Sequence, residues 1–409
     1  MKRLVFTLAM SLIVCLSFGQ KKVVSSAKNE IKGKNPDVVE ARRLIKEALA
    51  NPETENQAET WFVAGQIENK QLDLENTKEI LGQQPNQELM YTALSNILPY
   101  FEKAYQLDQT PDEKGKVKPQ HSKDIKSIMK ANRAQYLNAG LYYYNKNDYQ
   151  KAFENFKMFV DMPNLPMMKG ESFPVAEGDS TEMQVRYYAG LAAAMILNHQ
   201  EAIAIFDRIK DDGFEGSDIY QRLAYEYNQV GDSLSMVKTL NEGLAKYPDE
   251  DYFLTSLINV NLNAGNTAQA ASYLIEGIAK KPNNAPYYDV LGQVYESDGD
   301  FDKAIQNLKK ALELDPENAD FLSHLGRIYY NLGVEARAKA DENTADSKQY
   351  EQELQKSKEY FQEAMPVFEK AFEINPDDSN TIYALRSIYY NLNMGKEFEK
   401  MDAIFNNKQ

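Results

Sequence analysis

Along most of the chain, apolar residues return every three or four positions. This is the spacing of helices that each bury one stripe. The stripes stop at prolines, and the prolines keep a fixed interval. Pro248, Pro282 and Pro316 lie 34 residues apart, and Pro376 follows 60 residues later, the same interval with 26 residues added. Proline removes a backbone donor and clashes with the preceding turn, so each of these marks a helix end. The pattern predicts two amphipathic helices, A and B, in every 34 residues, joined by short turns such as Asp298-Gly299-Asp300.

Aligning 217–250, 251–284 and 285–318, each numbered 1 to 34, brings like residues together. The block at 285 has Tyr288, Leu291, Gly292 and Tyr295 at positions 4, 7, 8 and 11, then Ala304, Leu308, Ala311 and Pro316 at 20, 24, 27 and 32. The block at 217 has Tyr220, Leu223, Ala224, Tyr227, Leu240, Gly243 and Pro248, and the block at 251 has Leu254, Leu257, Ala270, Leu274, Gly277 and Pro282. Position 8 is small in Gly65, Gly140, Gly190, Gly292 and Gly326, and position 20 is Ala152, Ala202, Ala270, Ala304 and Ala364. Small residues at a crossing let two helix axes approach. The large residues around them fill the remaining space, each worth about 1.5–3 kcal/mol when buried. A lone hairpin cannot bury its apolar face, so successive hairpins must stack and share a core.

This arrangement resembles the tetratricopeptide repeat, W-x2-L-G-x2-Y…A-x3-F…P. The resemblance covers nearly all of 37–405 and is sharpest in 217–318 and 319–378. It implies an all-α, right-handed superhelical solenoid of seven or eight helix hairpins, with helical and loop insertions. The organisation expected is a capping helix and first repeat with an insertion over 37–130, then two degenerate repeats over 131–216. Three regular repeats follow over 217–318, then a repeat with a 26-residue helical insertion over 319–378, then a final repeat and capping helix over 379–409.

Four segments break the period. The segment 70–91 is polar and reads as helical in part. The segment 108–130, with Pro111, Gly115 and Pro119, reads as a mobile loop. The segment 162–181, with Pro163, Pro166 and Pro174, reads as an ordered but non-helical loop. The segment 334–357 is rich in helix formers and is expected to lengthen both helices of its repeat into a protruding hairpin. Pro99 and Pro366 both fall at position 22. Two readings stay open for them: each bends a long inserted helix, or each sits near the start of helix B, where proline is tolerated.

The start of the chain has a different character. Lys2 and Arg3 precede the apolar run Leu4–Leu16, and Ser17 and Gly19 supply small residues before Gln20. This is the order of a secretory signal peptide over 1–19, and it points to an exported bacterial protein, periplasmic or secreted. The run is too short to span a bilayer, which takes about 20 apolar residues. The single cysteine, Cys15, lies inside it and follows Val14, where a lipoprotein signal places a small residue. Beyond it, 20–36 reads as a flexible basic leader.

Composition narrows the chemistry. A net charge of −15 argues against nucleic acid, which needs a basic footprint. With one cysteine, in the signal, no disulfide or thiolate metal site is expected. The three histidines, His121, His199 and His324, have no metal-ligand spacing, and no phosphate-binding glycine loop or G-x-S-x-G elbow occurs. No cofactor, metal or catalytic residue is assigned, and an enzyme would need a cleft built by the insertions.

The resemblance instead implies a groove, because in tetratricopeptide families positions 2, 5, 9 and 12 of helix A line the concave face. Carried over by position, the partner-binding residues are Gln221, Tyr225, Asn228, Tyr252, Asn259, Gln293, Arg327 and Tyr330. They form a polar and aromatic set suited to an extended peptide. The Lys/Asn clamp that some relatives use for carboxylate tails is absent, since position 5 offers Gln221, Thr255, Asp289 and Ser323. Where paired tyrosines fall at positions 11 and 12, the first should enter the core and the second face the groove. The function expected is an extracytoplasmic scaffold that binds a protein or peptide of the cell envelope. A glycan-handling role is the alternative that the tyrosines raise.

Overall fold

The computed structural model describes residues 22–111, 113–174, 179–344 and 346–407. The segment 1–19, expected from its sequence to be a signal peptide, lies outside these residues. The chain is an all-α solenoid, with eighteen helices and no strand among the described residues. It divides into two compact units, residues up to Met236 and residues from Val237, and the division falls inside one helix, α10 (Ser233–Lys246).

The first unit contains α1 (22–30), α2 (Val38–Leu49), α3 (Ala58–Ile80), α4 (Gln87–Asp108), α5 (Ser122–Asn145), α6 (Tyr149–Asp161), α7 (Thr181–Met195), α8 (His199–Ile209) and α9 (Asp218–Gln229). Helices α3/α4, α5/α6 and α7/α8 form consecutive hairpins. The basic leader is not a flexible tail. Residues 22–30 are helical, and Val24 and Ala27 are buried against Val38, Ala41 and Ile45 of α2 and Val63 and Ile67 of α3. Lys28 adds an ion pair to Glu59 at 2.6 Å. The lysines of this segment drew attention from the helical spacing of Val24, Ala27 and Ile31, which is what decides its fate.

The expected mobile loop at 108–130 is also corrected. Ser122–Lys130 are the first turns of α5, and the strand of chain before them is pinned. The Asp108 carboxylate accepts from the backbone N–H groups of Gln120 (2.8 Å), His121 (2.8 Å) and Ser122 (3.2 Å). The described part of the segment after α6, residues 162–174, is ordered, as its composition suggested, and residues 175–178 lie outside the described residues. It makes two 3-10 turns, Met162–Asn164 and Pro166–Met168, and buries Met162, Met167 and Met168. The Arg133 guanidinium lies over the rings of Phe159 (4.1 Å) and Phe173 (5.2 Å), fastening this segment to α5.

The second unit contains most of α10, then α11 (Asp251–Asn263), α12 (Thr267–Lys280), α13 (Ala285–Ser297), α14 (Phe301–Leu314), α15 (Ala319–Glu342), α16 (Ser347–Ile374), α17 (Ser379–Asn391) and α18 (Gly395–Asn407). Helices α10, α12, α14 and α16 end at Lys246, Lys280, Leu314 and Ile374, each two residues before one of the four spaced prolines. The α13–α14 turn reverses through Gly299, whose φ of +78° lies in the left-handed region that side chains disfavour.

Two contacts repeat along this unit. Within a hairpin, position 8 meets position 24: a Cβ on Gly292 would lie 2.7 Å from Leu308 Cγ and 3.2 Å from the backbone oxygen of Ala304. Between hairpins, position 27 meets position 3 of the next block: Gly277 faces the Tyr287 ring, and Ala311 packs with Phe321. The first contact closes each hairpin and the second stacks it on its neighbour.

The insertion 334–357 extends both helices into one long hairpin, α15/α16. Ser357 Oγ donates to the Gly333 carbonyl at 2.8 Å across it, and Phe361 is buried beside it. The insertion lengthens helix B at its N-terminal end. Pro366 therefore has nineteen helical residues before it in α16, and Pro99 has twelve before it in α4. Neither is near a helix start, so the reading that places them there falls. Each leaves the carbonyl four residues back without its usual donor.

Candidate functional site

Successive A helices touch in the second unit: α13 meets α15, and α15 meets α17. The register sets what they show. Positions 3, 4, 7 and 8 go inward, so positions 2, 9 and 12 line up on the open face, joined by position 5 except in α13, where it is the buried Asp289. Between α15 and α17 this face sinks into a cleft of about 510 Å³. α15 contributes Asp320, Ser323, His324, Arg327, Tyr330 and Asn331. α17 contributes Asn380, Thr381 and Tyr383, and Phe368 and Ala371 of α16, with Asn375 just past its end, form the floor.

The polar groups divide into two sets. Some are committed to holding neighbouring repeats together. His324 Nδ1 donates to Asp289 Oδ1 of α13 at 2.7 Å, and Gln293 Nε2 donates to the other oxygen of the same buried carboxylate at 2.9 Å. Arg327 donates to Glu296 at 2.7 Å, and the Tyr330 hydroxyl donates to Ser387 Oγ of α17 at 3.0 Å. The others are open to the cleft. The side-chain amides of Asn331 and Asn380 have no hydrogen-bond partner among the described residues, and the ring of Tyr383, tilted against Phe405 of α18 with centroids 6.2 Å apart, is still 51% exposed.

The expected groove residues separate accordingly. Arg327 and Tyr330 line the cleft, but both also bridge repeats. Gln293 is turned to Asp289 and does not line the cleft. Tyr252 lies edge-on to Phe253, with ring centroids 5.6 Å apart, and Asn259 is exposed further along α11. Gln221, Tyr225 and Asn228 belong to α9 of the first unit. There Tyr225 is 55% exposed, Asn228 is exposed, and Gln221 Nε2 reaches Ser217 Oγ at 3.4 Å.

Sequence reasoning missed the polar cluster beside them. The Tyr187 hydroxyl donates to Asp218 at 2.7 Å, and Arg222 contacts both. Burial, with the Asp218 hydrogen bond, pushes the Tyr187 hydroxyl up to about 12, so it stays a donor at neutral pH. The paired tyrosines at positions 11 and 12 behave as their register requires. Tyr143, Tyr329 and Tyr389 are buried, whereas Tyr144 and Tyr330 are half-buried and Tyr390 is 70% exposed. In the first unit Tyr144 packs edge-on against Tyr149 and Tyr188, so those rings cover one another.

Among the described residues, no three His, Cys, Asp or Glu side chains stand where they could hold a metal ion. No described helix is long and apolar enough to cross a membrane.

Two family models match the second unit. A TPR repeat model covers residues 292–333, and a tetratricopeptide repeat model covers residues 353–378. No curated protein sequence matches the chain. Among solved structures, it is similar to MamA from AMB-1, with 22% identity, 49% of this chain and 95% of that one covered, and a TM-score of 0.34. A TPR repeats protein from Bacteroides fragilis shows 20% identity over 66% of this chain and 98% of its own, with a TM-score of 0.32.

Proposed function

Because this chain is a tetratricopeptide repeat protein, we propose that it is an exported scaffold whose α15–α17 cleft holds an extended segment of a cell-envelope protein. The observation that carries this reading is the pairing of unengaged amides with an exposed aromatic ring in one cleft. Asn331 and Asn380 each offer a free donor and acceptor to a peptide backbone, and Tyr383 offers a flat apolar surface to a side chain. The cleft floor of Phe368 and Ala371 is apolar, so a bound side chain there would shed water. The bridges through His324, Arg327 and Tyr330 hold the walls in place before a partner arrives, which lowers the cost of ordering on binding.

The double variant Asn331→Ala/Asn380→Ala tests this. Peptides recovered by panning a random peptide library on the full chain should bind the variant at least about tenfold more weakly, as expected when two amide–backbone bonds are lost. Its circular dichroism spectrum should not change, because neither side chain supports the fold. Equal affinity for both proteins would remove the cleft as the binding site.

Export rests on the order of residues at 1–19. Fused ahead of alkaline phosphatase, which is active only outside the cytoplasm, residues 1–24 should give activity, and Leu8→Arg within the apolar run should abolish it. An inactive fusion would end the extracytoplasmic reading.

A further inference from the structure

Resting on the cleft reading above, we propose that the segment held there is cationic, with a lysine or arginine side chain seated against Asp320. The charges that line the cleft point to this. Its arginine and its histidine are already closed by carboxylates of α13: Arg327 by Glu296 and His324 by the buried Asp289, each at 2.7 Å. Neither is left to receive an acidic partner. Asp320 differs. Its backbone N–H is capped by Asn318 Oδ1 at 3.2 Å, but its exposed carboxylate has no partner among the described residues.

An anionic segment would meet this carboxylate and find no free cation in return, and like charges in one cleft disfavour binding. Asp378, the cleft's other carboxylate, already accepts from the backbone N–H groups of Asn380 and Thr381, so a cationic side chain would complete the open charge of Asp320. The exposed face of Tyr383 in the same cleft favours a cation further, since an aromatic face carries negative potential. The whole-chain charge of −15 adds a long-range field that draws cationic partners and repels a second copy of this chain. Asp320 also stands in the first turn of α15, where a carboxylate suits the helix dipole. That structural role alone would alter stability without any preference for peptide charge, so a charge-resolved binding measurement separates the two.

The probe is a synthetic peptide taken from the panned library, made with its basic residue kept, changed to Gln, and changed to Glu. Each is titrated by fluorescence anisotropy against the full chain and against Asp320→Asn. Panning should return sequences with Lys or Arg at one fixed place. Asp320→Asn should weaken the basic peptide about three- to tenfold, the range of a partly screened ion pair, and leave the Gln peptide unchanged. Added salt should reduce the difference. Neutral or acidic sequences from panning, or an equal effect of Asp320→Asn on the basic and Gln peptides, would overturn the proposal. If Asn331→Ala/Asn380→Ala abolishes binding while Asp320→Asn has no effect, the cleft stands and the charge assignment falls. If basic peptides bind both variants as they bind the unmodified chain, the cleft itself is wrong. A library that yields no binder overturns both.

Discussion

Gly292→Leu should destabilise the second unit by about 3 kcal/mol, the upper part of the range for overpacking a close contact. At this crossing the first added carbon already meets Leu308 Cγ at 2.7 Å and the Ala304 backbone oxygen at 3.2 Å. A side chain could turn aside, but a helix backbone cannot without moving α14 away from α13. Since Leu308 and Ala304 belong to the core shared with α15 and α16, the displacement would pass to the next hairpin. Gly292→Ala is the informative control. It gains about 1 kcal/mol of helix propensity over glycine and loses part of that to the same contact, so its net effect should be far smaller than that of leucine. Urea unfolding followed by circular dichroism at 222 nm reads both. A leucine variant that unfolds at the same urea concentration as the unmodified chain would show that positions 8 and 24 do not meet as described.

That contact was legible in the sequence, because positions 8 and 24 lie in one block and pair Gly with Leu or Phe in Gly140/Phe156, Gly190/Phe206, Gly292/Leu308 and Gly326/Phe368, although the blocks at 217 and 251 have Ala224 and Ile258 at position 8. The stacking contact was only half legible. Gly277 and Ala311 stood out as small, but Tyr287 and Phe321, which press on them, sit in the next block under a different position number. The groove residues show a further limit. Position alone selects residues on a face and says nothing of whether they are spoken for. Gln293, Arg327 and Tyr330 find Asp289, Glu296 and Ser387 at 4, 31 and 57 residues' separation, and only folding brings the last two within reach. Asn380 and Tyr383 occupy positions 2 and 5 of the final block, so the same rule finds them once it is extended to that repeat. The α1 helix was hidden for another reason: its lysines dominate the composition, while Val24, Ala27 and Ile31 carry the packing.

Asp108→Ala should cost about 3 kcal/mol locally and free the segment 109–121. Nothing in the sequence marks Asp108, since its partners lie twelve to fourteen residues away. In the fold it caps a helix from a distance. α5 begins after His121, whose own side chain makes no cap. The donors at that end are instead collected by the Asp108 carboxylate, which takes the N–H groups of Gln120, His121 and Ser122 and the Ser122 hydroxyl at 2.8–3.2 Å. The negative charge also faces the positive end of the α5 dipole. Hydrogen bonds to a charged acceptor are worth about 1.5–3 kcal/mol each and are not additive, which sets the magnitude above. The same anchor positions His121, whose ring stacks on Phe62 at 4.4 Å and whose Nε2 lies 3.2 Å from Glu59, so the first turn of α5 and the start of α3 would loosen together. Asp108→Asn keeps one acceptor oxygen without the charge and should lose about half as much. Amide hydrogen exchange resolves the effect by position: in Asp108→Ala, protection at 120–125 should fall, and trypsin should cut after Lys114 or Lys116 well before it does in the unmodified chain. Unchanged protection at His121 and Ser122 would mean that α5 is capped by something other than Asp108.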